Sequence, residues 1–248
     1  MRFDGRSILV TGGLGELGLA IAEALAERGA RVTLLDREDP ADAVARLCAA
    51  GCQAFGVRAD VAREEEVRAA MSAAAGHWGG LDGLVNNAAD FIGFKPTQAT
   101  GVEEWDRLFA VDARGTFLCV REALPYLKQS RCGRVVNIGS GSADGGTPML
   151  LAHLSAKGAV ASMTRGLASE LGAHGICVNA VVPGLFETRR ARELAPPFIW
   201  DQERQRQALS DRNTRKEDVV GPVLMLLSDH AARITGHCLH VNSGSRYA

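Results

Sequence analysis

The sequence predicts an α/β protein in which helices cover both faces of a parallel β-sheet, and three observations lead to this fold class. Short apolar runs alternate with amphipathic helical segments along the 248 residues. The apolar runs lack an alternation of polar and apolar residues, as is typical of parallel strands buried on both faces. No linker or repeat interrupts the pattern. Because crossover connections are right-handed, we predict one doubly wound domain over residues 1–248.

Seven strands and six helices can be assigned in chain order. The predicted strands are Ser7–Thr11, Arg31–Asp36, Gln53–Val57, Leu81–Asn86, Arg134–Ile138, Gly175–Val182 and His237–Val241. A period near 3.6 residues predicts the helices, which are Leu17–Arg28, Ala41–Ala50, Glu64–Ala75, Glu103–Gln129, Leu151–Leu171 and Glu217–Leu227. Residues 185–214 are irregular and contain the run Pro-Pro-Phe-Ile-Trp. An insertion of this length after a strand is typical of a lid over a substrate site.

Composition excludes several classes of function. The net charge is −1, so no broad basic field favours nucleic acid. No apolar run approaches the roughly 18 residues that a membrane span needs, and the N-terminal residues lack the apolar core of a signal peptide. Six scattered cysteines include no pair spaced to complete a zinc site, so we expect no metal. These features predict a cytoplasmic protein that acts on a small molecule.

A glycine cluster between the first strand and the first helix predicts a cofactor. Residues 11–18 read TGGLGELG, and Gly13-x-Gly15-x-x-Gly18 fits the fingerprint of a Rossmann-type dinucleotide fold. Glycines let backbone amides approach a pyrophosphate at the helix N-terminus. The residues expected to do so are Gly12, Gly15, Leu17 and Gly18. Asp36 ends the second strand, where a carboxylate binds ribose hydroxyls and repels a 2′-phosphate, which favours NAD(H) over NADP(H).

Two neighbours of this motif leave alternatives open. Arg37 follows Asp36 directly and would weaken the discrimination against NADP. Glu16 lies in the first turn of the helix, where a carboxylate is favourable to the helix dipole by about 0.3–1 kcal/mol. It can point outward without consequence, or turn inward and occupy the phosphate site itself.

The whole chain resembles the short-chain dehydrogenase/reductase family, because the family's motifs recur in order. These motifs are Thr11–Gly18, Asp60-Val61, Asn86-Asn87-Ala88, Ser140, Lys157, Pro183-Gly184 with Thr188, and Thr235-Gly236 with Val241–Gly244. The resemblance implies that Asp60 and Val61 contact the adenine and that Asn87 lies beside the cofactor. It further implies that Pro183, Gly184 and Thr188 hold the nicotinamide amide, that Lys157 binds the nicotinamide ribose, and that the protein is a homo-oligomer, a dimer or a tetramer.

The expected catalytic residues are only partly present. Such proteins use a Ser to hold the substrate oxygen, a Tyr as general acid/base and an Asn on the preceding long helix. Here Ser140 and Lys157 are kept, but His153 stands four residues before Lys157 in place of the Tyr, and Asp112 stands in place of the Asn. Tyr126 and Tyr247 are the only tyrosines, and neither is near in sequence. The candidate catalytic residues are therefore Ser140, His153, Lys157 and Asp112.

The replacement of Tyr by His determines which proton-transfer steps the site can catalyse. An imidazole titrates near 6.5, whereas a phenol titrates near 10, and the Lys157 ammonium would lower the pKa of His153 further. Neutral His153 would favour proton abstraction, as in alcohol oxidation or enolisation, over protonation of an alkoxide. Alternatively, His153 is a tolerated replacement in a site that no longer reacts, and Asp112 is a helix residue bonded to nearby backbone.

Three functional hypotheses follow from these residues. The first is an atypical NAD-dependent oxidoreductase acting on an alcohol or carbonyl. The second is a non-redox isomerase, dehydratase or cyclase that uses His153 as base. The third is a non-catalytic subunit. Aromatic and apolar residues flank the expected site and favour a small, partly apolar or cyclic substrate; they are Phe91, Phe94, Phe198, Ile199 and Trp200.

Overall fold

The computed structural model describes residues 1–246 and contains a seven-stranded parallel sheet. Its strands are β1 (Ser7–Thr11), β2 (Arg31–Asp36), β3 (Gln53–Arg58), β4 (Gly83–Asn86), β5 (Arg134–Ile138), β6 (Cys177–Pro183) and β9 (Cys238–Val241). They lie in the order β3-β2-β1-β4-β5-β6-β9. Chain order reverses between β1 and β4, so the sheet has its topological switch point there, as predicted for a doubly wound fold.

Ten α-helices lie between and around the strands within residues 1–246. They are α1 (Glu16–Ala26), α2 (Ala41–Ala49), α3 (Glu64–Trp78), α4 (Val102–Phe109), α5 (Gly115–Leu127), α6 (Gly141–Gly145), α7 (Leu151–Leu171), α8 (Arg189–Leu194), α9 (Pro197–Arg206) and α10 (Lys216–Leu227). Two further strands, β7 (Phe186–Glu187) and β8 (Thr214–Arg215), pair in parallel with each other, outside the main sheet.

The sheet is buried on both faces, which explains its uninterrupted apolar strands. Ile8 and Val10 of β1 pack in one core with α1, α2 and α10. Leu9, between them, packs in the other core with α3, α5 and the end of α7. Successive side chains of a strand point to opposite faces, so each central strand needs apolar residues at every position.

The predicted helix Glu103–Gln129 is not uniformly α-helical. Residues 110–114 form a π-helical turn between α4 and α5, in which the Gly115 N–H donates to the Ala110 carbonyl five residues earlier. The Thr116 hydroxyl donates to the Asp112 carbonyl at 2.7 Å. Such turns often lie at functional sites, and this one carries the candidate Asp112.

Residues 185–214, predicted as irregular, contain regular elements. They form β7, α8 and α9 and continue into β8 at Thr214. The elements are two to ten residues long, too short for a periodic pattern to be distinct in the sequence. Across the described residues, none of the helices is both long and apolar enough to cross a membrane.

Candidate active site

Two adjacent depressions, which share part of their lining, lie at the carboxyl ends of the strands, where the sheet has its switch point. One is a cleft of about 550 Å³ lined by the glycine loop, Asp36, Asp60 and Val61. The other is a cavity of about 290 Å³ lined by Ser140, His153 and Lys157. Leu17, Asn87 and Asp90 line both. A molecule in the cleft can therefore reach a second molecule in the cavity.

The glycine loop is held in a conformation that only glycine allows. Gly12 has a φ of +60°. A Cβ atom on Gly18 would lie 2.1 Å from the Gly12 carbonyl oxygen, so a side chain there would displace the loop. The Asn87 side-chain amide donates to the carbonyls of Thr11 and Gly12, both at 3.0 Å. These contacts place the loop against the start of α1, a geometry that fits a dinucleotide pyrophosphate.

Carboxylates define the far end of the cleft. Asp36 accepts hydrogen bonds from the backbone N–H groups of Leu14 at 2.9 Å and Glu38 at 3.2 Å, which orient it at the end of β2. Each oxygen keeps a lone pair for another donor. The Arg37 side chain is largely exposed and lies 3.8 Å from Glu38. Asp60 accepts a hydrogen bond from the Ala62 N–H at 2.9 Å.

Glu16 is directed towards the segment that follows β6. Its carboxylate accepts a hydrogen bond from the Arg189 N–H at the start of α8, at 2.7 Å. Of the two orientations that the sequence left open, the structure has the one in which Glu16 points away from the glycine loop. Its carboxylate joins α1 to α8.

His153 lies in the wall of the cavity. The Phe91 ring meets the imidazole edge-on, with 5.5 Å between ring centroids. Its Nδ1 atom is buried and has no hydrogen-bond partner among the described residues. Burial, together with the neighbouring Lys157 ammonium, lowers the pKa of His153 to about 3. The imidazole is therefore neutral at physiological pH.

Lys157 and Asp112 form a buried ion pair beside His153. The Lys157 Nζ lies 3.3 Å from Asp112 Oδ2 and donates to the Ile138 carbonyl at 3.0 Å. Asp112 Oδ1 accepts a hydrogen bond from the Asp90 N–H at 2.7 Å. Burial raises the pKa of Asp112, and Lys157 opposes that rise. Asp112 thus partly neutralises the ammonium that would otherwise repel a proton on His153.

The remaining predicted residues lie around the same cavity. Ser140 caps α6 by accepting a hydrogen bond from the Ser142 N–H at 3.3 Å, which leaves the hydroxyl proton free to donate. Thr188 caps α8 and also lines the cavity. Pro183 and Gly184 line it too, and the Gly184 N–H donates to the Val241 carbonyl at 3.0 Å.

Only part of the predicted apolar set faces the cavity. Phe91, Phe94 and Ile199 line it, as expected. Phe198 is half exposed, and Trp200 lines a separate cleft between α8 and α9. Residues 197–206 form the helix α9, in which successive side chains point in different directions, so the three adjacent residues cannot share one wall.

Several residues of the cavity were not predicted from the sequence, and two of them are charged and lie together. Glu203 of α9 and Arg246 near the C-terminus both line the cavity, with Arg246 NH2 3.8 Å from Glu203 Oε2. No local pattern distinguishes them, because they meet only when α9 and the terminal segment pack over α6. Tyr126 lies on α5 in a cleft near the other end of β1 and β4, and Tyr247 is outside the described residues.

Comparison with known proteins now decides the family. A profile described as enoyl-(acyl carrier protein) reductase matches residues 15–246. The inactive 2-(S)-hydroxypropyl-CoM dehydrogenase 2 of Xanthobacter autotrophicus (strain Py2) is 39% identical over 90% of this chain and 98% of its own. The cis-4-hydroxycyclohexanecarboxylate dehydrogenase of Sinomonas cyclohexanicum is 37% identical over 98% of this chain and 97% of its own. The chain belongs to the short-chain dehydrogenase/reductase family.

A solved structure agrees with this assignment. A short-chain type dehydrogenase/reductase from Mycobacterium ulcerans superposes with a TM-score of 0.93 at 28% identity, covering 99% of this chain and 91% of its own. The chain is thus an oxidoreductase by family, with the single Rossmann-type domain that its sequence predicts. Dehydrogenases of this family generally use nicotinamide cofactors.

Proposed function

We propose that this protein oxidises the secondary alcohol of a small cyclic or partly apolar substrate, with NAD as the hydride acceptor and neutral His153 as the base. One observation carries the proposal. His153, Ser140 and Lys157 line one cavity, and that cavity adjoins the dinucleotide cleft, with Leu17, Asn87 and Asp90 lining both. A substrate and a nicotinamide ring can therefore meet beside a neutral imidazole.

The residues of the cleft support NAD as the cofactor. Gly12, Gly15, Leu17 and Gly18 would hold its pyrophosphate, and Asp60, Val61 and Asn87 its adenine and adjoining parts. Asp36 offers free lone pairs to two ribose hydroxyls, and its charge would repel a 2′-phosphate. Pro183, Gly184 and Thr188 would orient the nicotinamide. Bound NAD would supply the acceptor for a hydride from the carbinol carbon.

The chain's own residues would handle the proton and the oxygen. The Ser140 hydroxyl donates to the substrate oxygen, which fixes the carbinol in the cavity. Neutral His153 accepts the hydroxyl proton as the hydride departs. With a pKa of about 3, the imidazolium does not persist at neutral pH, and the partly exposed His153 would pass the proton on to solvent. The Asp112 carboxylate assists by offsetting the Lys157 charge beside the site.

The walls of the cavity indicate the substrate class. Phe91, Phe94 and Ile199 give it an apolar surface, and its volume of about 290 Å³ suits a single ring. The relative from Sinomonas cyclohexanicum is named for cis-4-hydroxycyclohexanecarboxylate, a hydroxylated ring that carries a carboxylate. A cyclic secondary alcohol is therefore the class of substrate that we propose.

A labelled substrate tests the reaction. The protein is incubated with NAD and a panel of cyclic secondary alcohols carrying deuterium at the carbinol carbon, and both NADH absorbance and deuterium in the reduced nicotinamide are measured. We expect both to appear. His153→Ala should lower kcat/KM by about 10²–10⁴-fold and leave NAD binding unchanged. The exposed His174→Ala should behave as the wild type.

The same experiment separates the two alternatives. Substrate conversion without deuterium transfer would replace the proposal with a non-redox isomerase, dehydratase or cyclase that uses His153 as base. Absence of both conversion and NAD binding would favour a non-catalytic subunit. The name of the Xanthobacter relative, an inactive dehydrogenase, is the observation that keeps this last alternative open.

We also infer a homo-oligomer, a dimer or a tetramer, located in the cytoplasm. Two large exposed apolar side chains, one on α5 and one on α7, support an association surface. Phe117 of α5 is 44% exposed and Leu151 at the start of α7 is 45% exposed. Burying such residues against a second copy removes apolar surface from water.

A further inference from the structure

We propose that Arg246 makes the substrate cavity selective for ligands that carry a carboxylate. This inference rests on the proposed function in one respect: only that function makes the bound ligand a substrate. Arg246 is the less exposed of the two arginines that line the cavity, with 13% of its side chain exposed. The surrounding wall is formed largely by apolar side chains, among them Phe94, Leu150 and Ile199. A ligand anion in such a cavity needs a cationic partner.

The fold holds the Arg246 guanidinium in one place. Its NH1 donates to the Gly141 carbonyl at 3.2 Å and its NH2 to the Thr147 hydroxyl at 3.1 Å. A Cβ atom on residue 145 would lie 1.9 Å from Arg246 Nε, so Gly145 is what allows the side chain to lie across α6. A guanidinium fixed in this way loses little conformational freedom when it binds an anion.

The positive charge of Arg246 is only partly balanced by negatively charged groups of the protein. Both hydrogen bonds given above go to neutral oxygens and use two of the five N–H donors. The nearest carboxylate oxygen, Glu203 Oε2, is 3.8 Å from NH2, beyond hydrogen-bond distance. The other oxygen, Glu203 Oε1, accepts the Ser245 hydroxyl at 2.7 Å. Donors thus remain for a bidentate contact with a ligand carboxylate, the geometry that arginine favours.

Arg190, the other arginine of the cavity, is a weaker candidate. Its side chain is 59% exposed, and its NH2 donates to the Phe91 carbonyl at 2.5 Å and lies 3.4 Å from Asp90. A nearby carboxylate and solvent therefore already compensate its charge. It lies at the boundary with the cofactor cleft, whereas Arg246 lies beyond Ser140 on the α6 side.

Binding by calorimetry tests the proposal without turnover. The full-length protein is titrated with cyclohexanecarboxylate and with cyclohexanecarboxamide, which share a shape and differ in charge. We expect the carboxylate to bind at least about tenfold more tightly, the effect of one charge-assisted contact. Arg246→Gln should abolish the preference, and Glu203→Gln should increase it several-fold by removing a competing charge. Arg204→Gln, an exposed position on the same helix as Glu203, should leave it unchanged.

Gly145→Ala supplies a variant that keeps every charge. It should displace the guanidinium and reduce the preference in a protein with an unchanged circular dichroism spectrum. Equal binding of the two probes by the wild type would overturn the proposal, as would a preference that depends on Arg190 and survives Arg246→Gln. Because no cofactor or turnover is involved, either result leaves the proposed oxidation of an alcohol to be judged separately by deuterium transfer.

Discussion

In the proposed reaction, His153 takes the place of the tyrosine expected at this position, so one residue would change the chemistry of the site while the fold stays the same. Its imidazole occupies a helix position four residues before Lys157, and both side chains line the cavity. Because burial and Lys157 keep it neutral, it requires no activation before accepting a proton, unlike a phenol. Because the imidazole is unprotonated at neutral pH, it is available as the base in alcohol oxidation and carries no proton to give to an alkoxide in carbonyl reduction.

Asp36 is a second single residue with a testable role, the choice between NAD and NADP. Asp36→Ala removes the carboxylate that would repel a 2′-phosphate, so we expect the preference for NAD over NADP to fall at least about tenfold. Dissociation constants measured by fluorescence titration check it. Asp39→Ala, a neighbouring acidic residue outside the cleft, is the matched control. An unaltered ratio in Asp36→Ala would mean that another group decides the choice.

At the scale of elements, the π-helical turn of residues 110–114 is what brings Asp112 to Lys157. An extra residue in the turn shifts the direction of the side chains, and the Asp112 carboxylate is buried between α7 and the Asp90 backbone. The sequence predicted a helix here and the structure has a helical segment, but its local geometry depends on contacts with other elements.

Breaking the buried pair should destabilise the protein strongly. Asp112→Leu leaves the Lys157 ammonium buried without a counter-charge, so we expect the free energy of unfolding to fall by about 3–5 kcal/mol. Urea denaturation measures it. The double variant Asp112→Leu/Lys157→Met should recover most of the loss, because neither charge then remains. Asp106→Ala, an exposed carboxylate on α4, should stay within about 0.5 kcal/mol of the wild type.

For the whole molecule, the neutral state of His153 makes the free energy of unfolding depend on pH. The unfolded chain binds a proton at this residue near pH 6.5, whereas the folded chain binds it only near pH 3. Between these pH values the unfolded state binds more protons than the folded state. The contribution of His153 to the free energy of unfolding is therefore fully present above pH 6.5 and decreases as the pH falls through this window. The site that would perform catalysis therefore also contributes to acid sensitivity.

His153→Phe should remove this contribution. Between pH 7 and pH 4.5 we expect the wild type to lose about 2–3 kcal/mol more stability than the variant, at about 1.4 kcal/mol for each pH unit below 6.5. Urea denaturation at both pH values gives the difference. The exposed His174→Phe should follow the wild type. Equal losses in wild type and His153→Phe would show that the imidazole is protonated in the folded protein.

The sequence by itself determined the sheet, the glycine loop and the positions of Ser140, His153 and Lys157. These features are local: buried strands are apolar at every position, and a tight turn at Gly12 requires glycine. Tertiary structure alone decided the direction of Glu16 towards α8, the pairing of Asp112 with Lys157, and the meeting of Glu203 with Arg246. Each of these contacts joins residues that lie 43 to 173 positions apart in the sequence, with no shared period to mark them. Distant contacts of this kind form only when separate helices pack over the same end of the sheet, so the fold supplies them and no single stretch of sequence does.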